Sequence, residues 1–410
     1  MSKLESLIKE LCPNGVEYKK LGEIAEISRG GSFQKKDYTE NGVPCIHYGQ
    51  IYTYYDLFVE RAISCISEET AKKQKFAESG DIIMAVTSEN MDDVCKCVAW
   101  LGNEKIAVSG HTAIIHHSID PKYLTYWFHT AMFYQQKTKI AHGTKVIEVA
   151  PAKLTDVLLP VPPLPVQREI VRILDNFTEL TAELTAELTA RKQQYEYYRD
   201  RLLMFNVHGG GTTRTEWKTL GETCFLQAGK TIDAESISKE KTTEYCIPCY
   251  GGNGLRGYVR KANQEGDKPL IGRQGALCGN VCFAKGDYYA TEHAVVVTDR
   301  GFYNSRFLYH LLVNKNLNQY KTAGAQPGLS VAKLETILLP VPEMAIQNRI
   351  ADVLDNFDTI CTDLNIGLPA EIEARKKQYG FYRDQLLTFA ASGETILTDR
   401  QTDRQTDIMP

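Results

Sequence analysis

Residues 158–205 and 338–389 are two versions of one text. The first opens as LLPVPPLPVQREIVRILDNF and closes as RKQQYEYYRDRLLMF; the second opens as LLPVPEMAIQNRIADVLDNF and closes as RKKQYGFYRDQLLTF. A repeat this long means duplication, so each half of the chain is one unit of the same design. Each copy has a Pro-rich entry that disfavours helix and then a helical period. In the first, Ile170, Ile173, Phe177, Leu180, Leu184, Leu188, Tyr195, Tyr198, Leu202 and Phe205 recur at steps of three and four, with one longer step across Arg191. The second repeats this with Ile350, Val353, Phe357, Ile360, Leu364, Leu368, Ile372, Tyr379, Tyr382, Leu386 and Phe389. Such a stripe predicts a long helix with one buried face.

The two copies differ by one helical step. Asp175 to Arg199 is 24 residues (199 − 175), and Asp355 to Arg383 is 28 (383 − 355). The first copy fills this stretch with TAEL units at 181–184 and 185–188, preceded by a partial one. Four residues add about 6 Å and about 400° of helix, so the leucine stripe drifts by only about 40°. The number of units can therefore change without destroying the packing face, as in an adjustable ruler. A coiled coil whose length has no function is the alternative. Gly367 and Pro369 are candidates to kink the second helix.

The duplication reaches beyond the helices. GVEYKKLGE at 15–23 is echoed by TEWKTLGE at 215–222, VPCIHYGQI at 43–51 by IPCYGGNGL at 247–255, and SGHTAII around His111 by TEHAVVV around His293. Both intervening regions mix short apolar strands with Gly-rich turns and close on a helix, which predicts two compact α/β domains. The expected division is residues 1–157 for the first domain with a short N-terminal helix and 158–207 for the first helical spacer. It continues with 208–337 for a linker and second domain, 338–392 for the second spacer, and 393–410 for a polar, low-complexity tail without a core to bury. The fold expected is two related α/β domains joined by two long antiparallel coiled-coil helices in pseudo-two-fold symmetry. It places two similar surfaces at a fixed separation, which suits a bipartite target on a duplex.

Composition narrows the chemistry. The chain has 410 residues, a formal charge of −4 and eleven cysteines. Bulk charge would not hold nucleic acid, although local basic patches would. There is no apolar run of 18 residues and no signal-peptide core, and the cysteine count is not that of a small disulfide scaffold, so the expectation is a reducing cytoplasm and no membrane. Cys246-x2-Cys249 and Cys278-x3-Cys282 have spacings that zinc can use, but Cys249 matches Cys45 in a shared strand, and buried small hydrophobes are the preferred reading. His111 and His293 read as structural. No metal and no cofactor are expected. GGNG at 251–254 and GRQG at 272–275 lack the Lys-Ser or Lys-Thr of a phosphate-binding loop and read as tight turns, open to close approach of a DNA backbone.

Candidate DNA contacts follow from side-chain chemistry in the turns where the domains diverge. In the second domain these are Arg256, Arg260, Lys261, Arg273 and Gln274; in the first, Lys35, Lys36, Gln50, Tyr52, Tyr54, Ser88, Asn90 and Lys145. Arginine takes guanine edges or phosphates, and glutamine pairs with adenine.

The chain resembles the specificity subunit of a type I restriction–modification enzyme. The resemblance is carried by LCPNGVEYKKLGEI at 11–24, both LLPVP…Q…I…LDNF segments, both RK-Q-Y-YRD-LL ends and the TAEL run, and it covers nearly everything but the tail. It implies two target recognition domains, each reading half of a split, non-palindromic DNA sequence with a fixed unspecified gap. It also implies a spacer that docks two adenine methyltransferase (modification) subunits, and association with restriction/translocase subunits. The chain itself would be non-catalytic, consistent with the missing cofactor loop and catalytic motif of an adenine methyltransferase. The repeated Tyr195, Tyr198, Tyr379 and Tyr382 are the expected docking residues. Leu180, Leu184, Leu188, Ile360, Leu364, Leu368 and Ile372 are the expected spacer stripe. A structural coiled-coil scaffold that binds no DNA is the alternative.

Overall fold

The computed structural model describes residues 2–205, 215–275, 277–322, 327–363 and 365–389. The linker at 208–213, the tail at 393–410 and Leu364 lie outside the described residues. The chain divides into two compact units. Unit 1 takes residues 1–183 with the segment from 372 onward; unit 2 takes residues 184–371.

Unit 1 is built on two five-stranded sheets. The first runs in the order Ala25–Arg29, Thr112–His117, Ile82–Ala85, Cys97–Trp100 and Phe58–Val59. The second runs Tyr38–Thr39, Ser64–Ile66, Val43–Ile46, Ile106–Val108 and Lys75–Ala77, with Val43–Ile46 parallel to Ile106–Val108. Strands such as Ile82–Ala85 are buried on both faces, which explains their unbroken apolar text. Helix α1 (Lys3–Leu11) starts on a capping box, Ser2 with Glu5. Helix α2 (Pro121–Trp127) starts on Asp120, whose carboxylate accepts from the N–H groups of Lys122 and Tyr123, with Pro121 in the first turn. It delivers Tyr123, Tyr126 and Trp127 into the core. Fully burying an aromatic of this size is worth roughly 4–6 kcal/mol before ordering entropy. Helix α3 (Ala131–Ile140) follows, so the one helix expected to close this domain is two, separated at residues 128–130.

Unit 2 repeats this plan with fewer strands. Cys224–Ala228, Ala294–Asp299, Lys268–Gly272 and Val281–Ala284 form the counterpart of the first sheet. Ile247–Gly251 lies between Gly254–Val259 and Tyr289–Ala290, parallel to the latter. The matched texts at 43–51 and 247–255 agree through the strand and then part. Unit 1 turns into a short helix, Tyr48–Thr53, while unit 2 forms a hairpin around Gly252 and Asn253.

The Pro-rich entries of the repeat are strands. Leu158–Pro160 pairs antiparallel with Tyr18–Lys20, and Leu338–Val341 pairs with Glu216–Thr219. Each entry thus ties the end of a globular domain to its beginning before the helix leaves. The following glutamine locks the junction. Gln167 accepts from the N–H of Asp120 and donates to the carbonyl of Pro162 (2.8 and 2.7 Å). Gln347 does the same with Asn304 and Pro342 (both 2.8 Å).

The aspartate of LDNF is the second lock. In unit 1, Asp175 accepts from Tyr126 Oη at 2.6 Å and pairs with Lys122 Nζ at 2.7 Å. In unit 2, Asp355 holds Arg306 at 2.6 Å and His310 Nε2 at 2.6 Å, both from helix α5 (Ser305–Asn314). The phenylalanine of the same motif receives the opposite repeat. Phe177 stacks on Tyr382 with centroids 5.6 Å apart, and Phe357 stacks on Tyr198 at 5.8 Å. The start of one repeat therefore packs with the end of the other, once in each unit.

The first spacer is a single helix, α4 (Leu164–Leu202), of 39 residues and so about 58 Å long. Its Ala-, Glu- and Leu-rich centre has high intrinsic helix propensity. The division between the units falls at Glu183–Leu184, inside the TAEL run. Leu184 and Leu188 are half-buried, but Leu180 faces solvent, as does Ile360. Each follows its phenylalanine, Phe177 or Phe357, by three positions, a step of about 300° that sets it about 60° off the line of that ring.

The second spacer corrects the expectation of one long helix. It is two helices, α6 (Met344–Thr362) and α7 (Leu368–Thr388). Asp363 Oδ1 accepts from the N–H of Asn365 and Ile366 (2.7 and 3.2 Å), and the N–H of Gly367 donates to the Asp363 carbonyl. A Cβ on Gly367 would sit 2.6 Å from the carbonyl oxygens of Asp363 and Thr359, so only glycine fits there. Pro369 sits in the first turn of α7, where its missing N–H costs nothing. The four extra residues of this copy thus go into a break and not into an extra helical turn. Leu368 is half-buried and Ile372 buried.

Burial also makes the fold sensitive to acid. His47 and His129 are each lowered to about 4, chiefly by burial, and burial lowers His117 and His310. The unfolded chain takes up these protons near 6.5 while the folded chain resists them, so stability falls as pH drops from about 6.5 toward 4. His116 opposes this, raised by its hydrogen bond to Asp81, but among the described histidines it stands alone against four. Urea midpoints measured from pH 7.5 to 5 should decrease monotonically; a flat or rising profile refutes the assignment.

Candidate nucleic-acid interface

The two units carry the same rim, and backbone hydrogen bonds identify its equivalent positions. Val86 N–H donates to the carbonyl of His111 at 3.0 Å; Arg273 N–H donates to that of His293 at 2.9 Å. The Val86 and Arg273 carbonyls accept from Val149 and Leu329 at 2.9 and 2.8 Å. Beyond them, Thr87–Ser88 pairs with Ile147–Glu148, and Gln274 bridges Gly328. Thr87–Ser88 thus corresponds to Gln274–Gly275, and His111 to His293. A first loop crosses beside each rim at Gly30 and Gly229, where a Cβ would strike the carbonyl of Ser109 or Ala290 (2.1 and 2.2 Å).

In unit 2 the rim borders a cleft of about 860 Å³ lined by Gly251, Gly252, Arg256, Gln274, Leu277 and His293, among others. Arg256 and Gln274 are exposed, as is Lys261. Arg260 is engaged elsewhere, paired with Glu244 at 3.1 Å and stacked on Tyr245. Arg273 is half-buried, with its backbone pinned on both sides and its Nε enclosed without a partner. His293 Nε2 lies 3.0 Å from Glu292 Oε1, while His293 Nδ1 and Glu292 Oε2 are also buried and unpartnered.

In unit 1 the same place is occupied by rings. Tyr48 packs 5.0 Å from His111 and 4.5 Å from His47, and Thr87 Oγ1 lies 3.3 Å from His111 Nδ1. Lys35 and Lys36 are exposed on the neighbouring turn. The nearby Lys35 ammonium and His111 add to burial in keeping His47 neutral. Tyr54 is 74% exposed, and Lys145 stands exposed in the loop before Ile147. Tyr52 is half-buried and spends its hydroxyl on the Thr87 carbonyl at 2.9 Å, which supports the rim from below. Ser88 is half-buried, and Asn90 caps its own turn through Asp93. Lys137, buried with its ammonium on the Asp92 and Val94 carbonyls, fixes the far side of that turn.

Gln50 is removed from the interface by its burial. It is 5% exposed, accepting from the His47 N–H and donating to Ser64 Oγ, and so closes the N-terminal cap of Tyr48–Thr53. Conversely, His111 and His293, which read as structural in the sequence, lie on the rim. Their equal place in the repeat was a usable signal; that they border the diverging turns was not visible. Among the described residues no group of three metal-binding side chains converges.

The aromatic ends also separate by burial. Tyr195 packs by Phe357 and His310, Tyr379 by Tyr126, and Tyr382 on Phe177, while Tyr198 keeps 39% exposure. The rings that stand in solvent are the equivalent Tyr197 and Phe381, 56% and 59% exposed.

Residues 13–191 and 214–374 match the type I restriction modification DNA specificity domain, once in each half. The chain therefore belongs to the family of type I restriction–modification specificity subunits, non-catalytic proteins whose partner subunits carry the catalytic activities. It is 37% identical to the EcoprrI specificity subunit of Escherichia coli, over 89% of this chain and 93% of that one. A second Escherichia coli specificity subunit is 28% identical over 95% and 98%. Among solved structures, the type I S subunit from M. genitalium aligns with a TM-score of 0.57 at 15% identity, covering 91% of this chain and 97% of its own. The S subunit from Thermoanaerobacter tengcongensis aligns at 0.52 with 17% identity, over 91% and 97%. These two likenesses concern the fold. No described helix is long and apolar enough to cross a membrane.

Proposed function

We propose that the chain reads a bipartite, non-palindromic sequence on double-stranded DNA, with a fixed unspecified gap, and docks two copies of an adenine methyltransferase subunit together with restriction/translocase subunits. One observation carries this reading: the same rim occurs in both units of a duplicated fold, with different side chains at equivalent places. A common frame with divergent tips is what two independent readers of unlike half-sites require. Lys35, Lys36, Tyr54, Ser88, Asn90 and Lys145 supply one reader and its phosphate contacts; Arg256, Lys261, Arg273 and Gln274 supply the other. The net charge of −4 confines attraction to these local patches. The solvent-exposed Tyr197 and Phe381, with Tyr198 beside the first, support docking of duplicated partners on the duplicated ends.

Genome-wide methylation mapping in cells carrying the chain and its partners tests the reading. A split motif methylated on both strands is expected. Exchange of residues 16–157 for the corresponding domain of a relative should change one half and leave the other. The reconstituted complex should sediment as one chain with two methyltransferase subunits. Simultaneous change of both halves, or a one-to-one limit in excess partner, sinks the proposal. Absence of duplex binding leaves the scaffold alternative.

A further inference from the structure

The cleft of unit 2 has features that an ordinary surface turn lacks. Its walls are largely backbone: Gly251, Gly252, Gly254, Gly275 and Gly328 line it. Gly254 and Gly275 have φ of +87° and +91°, the left-handed region, and space stands open around both. Side chains at these positions would strain the turns and fill the opening. Two leucines on the rim, Leu255 and Leu277, are 54% and 56% exposed. An apolar rim around polar donors is the pattern of a binding surface.

The donors inside are idle. Among the described residues, neither Arg256 nor Gln274 makes a side-chain hydrogen bond or ion pair within the protein. Arg260, on the same turn of chain as Arg256, is by contrast committed to Glu244. Arg273, Glu292 and His293 each enclose a polar atom without a partner around the same corner. Buried polar groups are rarely left unpaired, so this corner is one that water or a polar ligand completes. Arginine and glutamine are the two side chains that engage purine edges with paired hydrogen bonds, guanine through O6 and N7 and adenine through N6 and N7. In unit 1 the equivalent place holds Thr87, Tyr48 and His111, which offer no such pair of donors.

We propose that Arg256 and Gln274 are the specificity-determining residues of unit 2, reading a guanine and an adenine respectively in its half-site from the glycine-walled cleft. The inference rests on the DNA-reading function above and adds to it the bases and the side chains. The half-site of unit 1 is read by other chemistry, because its rim carries hydroxyl and ring groups at the matching places.

The test uses the full chain assembled with its methyltransferase subunits, as wild type, Arg256→Ala, Gln274→Ala and Gln274→Glu. Both side chains are exposed, so the thermal melt of each variant should match wild type. The methylated motif is mapped genome-wide, and binding is measured on a duplex carrying the wild-type motif and on a random duplex of equal length. Arg256→Ala should relax one guanine position, and Gln274→Ala one adenine position, in the half-site of unit 2. Each should lose about 5- to 150-fold in preference for that base, the size of one paired base contact. Gln274→Glu should move the preference at its position toward cytosine, whose amino group a carboxylate accepts. Equal losses on both duplexes would make these residues phosphate contacts and overturn the proposal. Unchanged motifs, or relaxation in the other half-site, would also overturn it. If the wild-type complex methylates no split motif, the failure lies with the DNA-reading function itself; if it does and the variants match it, the failure lies with this assignment.

Discussion

One TAEL unit inserted after Leu188 should lengthen the unspecified gap of the target by one base pair and leave both half-sites unchanged. The insertion falls in the continuous helix α4, beside the point where the two units divide. It adds about 6 Å of rise and about 40° of net rotation. A base pair contributes about 3.4 Å and, at about 10.5 per turn, roughly 34°. By rotation the insertion equals one base pair, and by translation nearly two. Rotation decides, because a half-site out of phase cannot face its reader, whereas an axial mismatch of a few ångströms can be taken up by bending. The break between α6 and α7 is where such bending would concentrate, since the N–H groups of Asn365 and Ile366 are held by the Asp363 side chain and not by carbonyls one turn back. The insertion therefore does not equalise two helices, as counting residues would suggest; it extends the unbroken spacer against one that is two helices. Methylation mapping of the insertion, the wild type and a deletion of one unit checks this. An unchanged gap in all three would show that α4 is a packing element only. An altered half-site would show that helix length also reshapes the readers.

Asp355→Ala should cost about 2–3 kcal/mol, between the value for an exposed ion pair and that for a buried one. Asp355 is about one-third exposed, but His310 beneath it is fully enclosed and Arg306 is mostly covered. Removing the carboxylate leaves Arg306 only its longer contact with Asp358 (3.4 Å) and takes the partner from the buried His310 Nε2 at the junction of α5 and α6. Asp175→Ala should cost less, about 1 kcal/mol, because Lys122 is one-third exposed and can turn to water, leaving chiefly the Tyr126 hydroxyl unpaired. Urea denaturation of the full chain followed by two probes separates them: tryptophan emission from Trp127 for unit 1, and from Trp217 for unit 2 in a Trp100→Phe, Trp127→Phe background. Asp355→Ala should lower the unit 2 midpoint more than Asp175→Ala lowers that of unit 1. Equal losses, or none, would remove the LDNF aspartates from the list of junction locks.

The duplication, the helical period, the division into two α/β domains and the family were all legible in the sequence, because each is a local or repeated pattern. An alternation of three and four reports a helix face, and a repeated text reports a repeated fold, without reference to distant residues. What the tertiary structure decided involves closures over long stretches of chain. Tyr382 lies 205 positions beyond Phe177 (382 − 177), yet stacks upon it, so the apparent docking tyrosines are in part the seams that close each unit. Gln50 has a base-reading side chain in a diverging turn, but a capping geometry draws it inside. The four additional residues of the second spacer look like helix by count; an aspartate that captures two backbone N–H groups and a glycine pressed on carbonyls turn them into a break. His111 and His293 carry no local mark of function, and only the pairing of three separated loops sets them on a rim. Short-range periodicity fixes which face of an element is apolar, whereas which polar side chain is left without a partner depends on everything packed around it.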